Sequence, residues 1–113
     1  MKSFVITYAS LALLFVALPA SAIDRGDIQR GEDKAAACLA CHSGDAVENN
    51  PEWPRLHGQH ADYLVRALRD YKSGKRTDPV MQMQVEDLTL QDKRDIASWF
   101  AAQNGQLYTP RKD

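Results

Sequence analysis

Two cysteines and a histidine lie next to each other in the chain. They are Cys38, Cys41 and His42, in the order C-x-x-C-H, which is the spacing that attaches haem covalently. Two thiols one helical turn apart can each add to a vinyl group of one haem, and the histidine beside the second can ligate the iron. These are the only cysteines in the chain, so the motif predicts one haem c.

Two other uses of a cysteine pair remain open. A thioredoxin-like disulfide normally opens a helix beside a βαβ unit, and no strand pattern lies near this pair. A structural zinc site needs four ligands, and here only His42, His57 or His60 could complete it.

The first residues resemble an export signal. Lys2 precedes an apolar stretch over 4–18, and Pro19-Ala20-Ser21-Ala22 provides a cleavage site of the A-x-A type. We expect residues 1–22 to be removed, which leaves one domain over 23–113. The alternative is an uncleaved anchor, but the apolar stretch is shorter than the roughly 20 residues that span a bilayer.

The remaining 91 residues (113 less 22) suffice for one small domain. Without Lys2 they carry 13 basic and 15 acidic side chains, a balance of −2, which does not suggest a nucleic-acid binder. A domain this small has a thin apolar core, so a covalently held macrocycle would act as its centre.

A first helix is predicted to begin near Asp24 to Asp27 and to run into the motif. Ile28, Gly31 and Ala35 share one face of it, and either aspartate can cap it. Glycine within a helix costs about 1 kcal/mol relative to alanine. Gly31 therefore indicates either a close helix contact or a tolerated glycine in an exposed turn.

Two further helices follow, separated by segments without helical periodicity. One is predicted from about Ala61 to Ser73-Gly74, and the last from Thr89, with Asp92 as a capping partner, to about 104–105. Their apolar faces are Tyr63, Leu64, Ala67, Leu68 and Tyr71, and then Ile96, Trp99 and Phe100.

The segments between the helices, 43–59 and 75–88, read as loops. Pro51 and Pro54 break any regular helix in the first, and Asp78-Pro79 marks a turn in the second. A loop as long as 43–59 is uncommon unless it encloses something, so we expect it to wrap the haem on the His42 side.

These parts together resemble a known family, the small class I c-type cytochromes, and within it the single-haem bacterial carriers and the halves of two-haem periplasmic cytochromes. The segments that carry the resemblance are Gly31, the C-x-x-C-H motif, 53–59 (WPRLHGQ), Tyr63-Leu64, 74–77 (GKRT), Met81, Leu88-Thr89 and 95–100 (DIASWF). The resemblance implies an all-α cytochrome c fold of three to five helices around one haem. It also implies that the first and last helices cross, with Ile96 and Trp99 against Gly31.

The resemblance also implies a ligand set. His42 would bind the iron and donate its other ring N–H to the carbonyl of Pro54, which fixes the ring. A methionine would bind opposite. Met81 is favoured over Met83 by its offset from 74–77 and its spacing to Leu88, and Met83 would pack as an apolar filler. His57 stands where the family usually has a small residue. It is either a third histidine near the haem or, as we expect, a solvated loop side chain.

With both axial positions filled, the implied function is a periplasmic one-electron carrier that is not itself an enzyme. It would act with redox protein partners, as a monomer or weak dimer. The alternatives are a haem subunit of a periplasmic dehydrogenase or oxidase complex, a gas sensor or peroxidase with a displaceable Met81, and a haem-free metal module.

Five cations either steer an acidic partner or form an ordinary solvated face. They are Arg66, Arg69, Lys72, Lys75 and Arg76.

Overall fold

A computed structural model describes residues 25–105, and within that range the chain is helical with no strand. The predicted all-α class is confirmed, but the predicted number of three to five helices is too low. The signal predicted for 1–22 lies outside the described residues. The helices are α1 (Ile28–Ala35), α2 (Leu39–His42), α3 (Gly44–Asn49), α4 (Ala61–Ser73), α5 (Pro79–Val85) and α6 (Leu90–Ala102).

The first helix begins as its capping pattern predicts. The Asp27 carboxylate accepts a hydrogen bond from the Arg30 N–H at 2.8 Å, which satisfies one of the free donors of the first turn. Gly31 and Ala35 are buried on one face. Ile28, predicted on that face, is instead 52% exposed, although Asp27 just before it contacts α6 through Asp95.

Helix α6 is the centre of the fold, because it packs against both α1 and α4. Its start has the predicted capping box, in which Thr89 and Asp92 exchange side-chain and backbone hydrogen bonds. Ile96 and Phe100 are buried as predicted. The core cluster consists of Ala35, Leu64, Ile96, Ala97 and Phe100, with Trp99 partly buried against it.

Helix α4 ends where predicted, at Gly74 in the left-handed conformation (φ 79°). Leu64 on its predicted apolar face is buried. Tyr63 on the same predicted face is 46% exposed.

The prediction of a loop over 43–59 was wrong for the first part of this segment, because Gly44–Asn49 forms α3. The Ser43 hydroxyl accepts a hydrogen bond from the Ala46 N–H at 3.3 Å and so caps the helix. Pro51 follows the C-cap residue Asn50, so it lies beyond the helix rather than within it.

The loop predicted over 75–88 was also wrong, because it contains α5. Asp78 caps this helix by accepting from the Met81 N–H at 2.9 Å. Pro79 occupies the first helical position, where its missing N–H removes no intrahelical bond. Asp78-Pro79 is therefore a helix start and not a turn.

Candidate functional site

The cysteines and His42 are held on one short helical turn. The N–H groups of Cys41 and His42 both bond the carbonyl of Cys38, at 3.2 and 2.9 Å. Both cysteines are free thiols of intermediate exposure. Residues three apart on a helical turn lie on the same side, so the two thiols can reach one ligand together.

The imidazole of His42 has a fixed orientation. Its Nδ1 lies 2.8 Å from the carbonyl oxygen of Pro54, and the residue is only 8% exposed. A carbonyl can only accept, so Nδ1 carries the proton and Nε2 is left with a lone pair. The predicted contact is therefore present, and it leaves the nitrogen that a metal would need.

Cys38 differs in one respect from the reactive cysteine of a redox disulfide. Burial raises the pKa of Cys38, only partly offset by a backbone hydrogen bond that lowers it. The nucleophilic cysteine of a disulfide oxidoreductase has a lowered pKa, whereas the pKa of Cys38 shifts in the opposite direction.

The geometry gives no support to a zinc site. Within residues 25–105, no three His, Cys, Asp or Glu side chains group closely enough to hold a metal ion. A structural zinc ion needs about four such ligands.

The two methionines of α5 differ in their surroundings. Met81 is half-buried, whereas Met83 is 66% exposed. Met81 lies four residues before Val85, which is fully buried, so these two share the inward side of the helix. Val80 is 56% exposed. The helix thus turns Met81 inwards and Met83 outwards, which favours Met81 as the internal thioether.

His57 is not the solvated side chain that the sequence suggested. Its ring lies against the rings of Trp99 and Phe100, with centroids 6.0 and 5.5 Å away. Its Nε2 is buried and has no hydrogen-bond partner within residues 25–105. The reason is the fold of the 53–59 loop, whose Gly58 N–H bonds the carbonyl of Phe100 at 2.9 Å and draws the loop onto α6.

Sequence reasoning missed a charged cluster between α1 and α6. Asp95 is fully buried, and its carboxylate accepts from Arg30 at 3.0 and 3.1 Å, from Lys34 at 2.9 Å, and from Gln91 and the Asp27 N–H at 2.8 Å. The available signal was Arg30 and Lys34 one turn apart on α1, opposite in charge to Asp92 and Asp95 on α6.

These contacts decide the charge state of Asp95. Burial alone would raise the pKa of the carboxyl, but the hydrogen bonds from Arg30, Lys34, the Asp27 N–H and Gln91 outweigh burial and hold the pKa well below its usual range. Asp95 is therefore a carboxylate near neutral pH, and it fixes the helix that carries the core residues around the site.

The five cations of the predicted basic face are all exposed, but they differ in their contacts. Lys72 donates to the Leu88 carbonyl at 2.9 Å, and Arg76 lies 5.0 Å from the centre of the Tyr71 ring. The other three line, with Asp70 and Ser73, a surface groove at the end of α4, and their side chains make no hydrogen bond or ion pair within residues 25–105. They are Arg66, Arg69 and Lys75.

No helix in the described range has both the length and the apolar composition that a membrane crossing requires.

The comparisons with known proteins point to one family. No protein-family model matches the chain. The chain is 42% identical over 91 residues to cytochrome c4 of Pseudomonas aeruginosa, covering 80% of this chain and 45% of that protein. It is 36% identical over 81 residues to cytochrome c-554(548) of Halomonas halodenitrificans, covering 69% of this chain and 98% of that protein.

A solved structure agrees with the sequence matches. The fold matches crystalline reduced cytochrome c4 from Pseudomonas stutzeri with a TM-score of 0.62 and 35% identity, covering 73% of this chain and 48% of that one. The chain thus spans about half the length of the cytochromes c4 that it matches.

Proposed function

The chain belongs to the small class I c-type cytochromes and is similar to one half of a two-haem cytochrome, and on this premise we propose that it is a one-electron carrier. Haem c, when bound, supplies a one-electron Fe(III)/Fe(II) couple. The observation that carries the proposal is the contact between His42 Nδ1 and the Pro54 carbonyl, which leaves Nε2 free as a ligand beside two free thiols.

The chain's own residues each have a part in this function. Cys38 and Cys41 would form the two thioethers, and His42 would ligate the iron with an orientation and basicity set by Pro54. Met81 would supply a second iron ligand, a thioether, which raises the reduction potential. If His42 and Met81 both ligate the iron, the protein would transfer electrons without being an enzyme.

The exposed cations indicate the charge of the surface that a redox partner would present. Arg66, Arg69 and Lys75 are unpaired within the described range, and they lie in a chain whose formal net charge is −1. Such a local basic strip on an acidic protein would steer an acidic face of a redox partner towards α4. We expect the rate of electron transfer with the partner to be higher at low salt than at high salt. The double variant Arg66→Glu with Lys75→Glu should lower this rate. A rate with the physiological partner that is independent of ionic strength would contradict the steering.

The location belongs to the same proposal. Residues 1–22 would direct export and be removed, leaving 23–113 as the periplasmic domain. The mass of the exported protein tests this together with the cofactor, because it should equal that of 23–113 plus one haem.

The ligands are tested by a reduced-minus-oxidised spectrum with a midpoint titration of the exported protein. Met81→Ala should abolish the thioether-to-iron charge-transfer band of the ferric protein and lower the midpoint potential. Met83→Ala is the matched control, since it removes the same side chain two residues away, and it should leave the band in place. Loss of the band in Met83→Ala alone would show that Met83, and not Met81, is the ligand. An exported protein whose mass lacks haem would refute the proposed function.

A further inference from the structure

Two lysines from different helices donate to one carbonyl oxygen. Lys72 of α4 reaches the Leu88 carbonyl at 2.9 Å, and Lys93 of α6 reaches the same oxygen at 2.5 Å. Leu88 lies between α5 and α6, and its N–H bonds the carbonyl of Val85 at 3.2 Å. The main chain of Leu88 therefore connects α5, through its N–H, to both of the longer helices, through its carbonyl.

Holding these two ammonium groups at one carbonyl oxygen has an electrostatic cost. Lys93 is only 3% exposed, and burying an ammonium is costly unless it is well bonded. Burial lowers the pKa of Lys93, and the nearby charges of Lys72 and Arg69 lower it further, while Asp92 acts in the opposite direction. Two like charges are thus held together at one uncharged acceptor.

Met81 lies on the segment that this contact anchors. The segment's first end is held by the Asp78 cap, which bonds the Met81 N–H. After its other end, the N–H groups of Glu86 and Leu88 bond the carbonyls of Met83 and Val85, at 3.4 and 3.2 Å. Helix α5 has seven residues, too few to be stable alone, so its position depends on such tertiary contacts.

We propose that Lys72 and Lys93 are positioning residues, which hold the end of α5 through the Leu88 carbonyl and thereby keep the Met81 thioether in place as an internal ligand. This inference rests on the proposed function, since it assumes that Met81 ligates the iron. Neither lysine touches the reacting atoms. Their effect would be on how readily an external ligand displaces the thioether.

The test measures the affinity of the exported ferric holoprotein for imidazole, which competes with the thioether, together with the charge-transfer band. Lys72→Met keeps most of the aliphatic chain and removes the ammonium. It should bind imidazole at least fivefold more tightly than the wild type, and Lys93→Met at least tenfold. Lys72→Arg, which can still donate to a carbonyl, should return the affinity to within twofold of the wild type.

Arg94→Met is the matched control, because it removes a neighbouring cation of α6 that makes no hydrogen bond or ion pair within residues 25–105. Its imidazole affinity should equal that of the wild type. Lys93 is buried, so its variant could misfold. The exposed Lys72 carries the test in that case.

The outcomes separate this inference from the proposed function. If the charge-transfer band is still present in Met81→Ala, Met81 is not the ligand, and both the ligand assignment and this inference are refuted. A second outcome would refute only the role of the lysines. In it, Met81→Ala loses the band, but Lys72→Met binds imidazole no more tightly than the wild type or Arg94→Met does.

Discussion

The main chains of Gly31 and Asp95 are in direct contact. A Cβ atom built on Gly31 would overlap the carbonyl oxygen of Asp95 and lie 2.9 Å from the Cβ of Trp99. Because the obstructing atoms belong mostly to backbone, no side-chain rotation can make room. The contact, rather than helix propensity, explains the glycine in α1, and it decides between the two interpretations that the sequence left open. The predicted neighbour Trp99 is there, but the residue that meets Gly31 most closely is Asp95, not Ile96.

Gly31→Ala should therefore destabilise the protein, by about 1–3 kcal/mol, which is the usual cost of adding a methylene to a packed contact. Alanine is the better helix former, so propensity alone predicts the opposite sign. The measurement is denaturant unfolding of the haem-loaded protein. Gly44→Ala is the control, because a Cβ there meets nothing within 4 Å; it should be neutral or stabilising. Equal stability of the two variants would show that α1 and α6 can separate without cost.

Asp95→Asn tests the buried charge between the same helices. The change is nearly isosteric, but it leaves Arg30 and Lys34 facing a neutral amide. Removing one partner of a buried ion pair costs about 3–5 kcal/mol, and we expect the lower part of that range because Arg30 is partly exposed. Asp33→Asn, on the exposed side of α1, should change the free energy of unfolding by less than about 0.5 kcal/mol. A similarly small effect at position 95 would contradict the anchoring role.

The acid sensitivity of the protein should depend on Asp92. The hydrogen bond from Lys34 and those from Thr89 lower the pKa of Asp92 to about 2 from its usual 3.8. The folded pKa is the lower one, so the stabilisation is complete above about pH 4 and is lost as the pH falls towards 2. The free energy of unfolding of the wild type should drop between pH 5 and pH 2.5 by more than that of Asp92→Asn. Parallel curves for the two proteins would show that the carboxylate gains nothing from folding.

Capping residues were readable from sequence because their effect is local. Asp27 and Thr89 each bond an N–H within the next three residues, so pattern and structure agree at the starts of α1 and α6. The same local chemistry begins α5 at Asp78, but proline next to aspartate is typical both of a turn and of a helix start. Only the packing of α5 on α4 decides between them.

Contacts between distant residues could not be predicted in this way. The partners of Asp95 on α1 lie 61 and 65 residues away, and a single sequence does not pair them. The lysines on the Leu88 carbonyl and the burial of His57 likewise depend on how the helices pack. The pairing of His42 with Pro54 was expected only because the family resemblance supplied it.

His57 offers a test of a buried polar atom without a partner. Its Nε2 makes no hydrogen bond within the described range, and an unsatisfied buried polar group costs about 1–3 kcal/mol. His57→Phe keeps an aromatic ring against Trp99 and Phe100 and removes the polar atom. We therefore expect the free energy of unfolding of the haem-loaded protein to rise by about 1 kcal/mol, measured by denaturant titration with an unchanged m-value.

The control for this variant is His60→Phe, since His60 is exposed and its side chain does not cap α4. It should change stability by less than about 0.5 kcal/mol. If His57→Phe instead lowers the free energy of unfolding by more than about 1 kcal/mol, then Nε2 has a hydrogen-bond partner in the complete protein. Because His57 and His42 line the same cavity of about 170 Å³, a midpoint potential that shifts in His57→Phe and not in His60→Phe would place that partner close to the iron ligand.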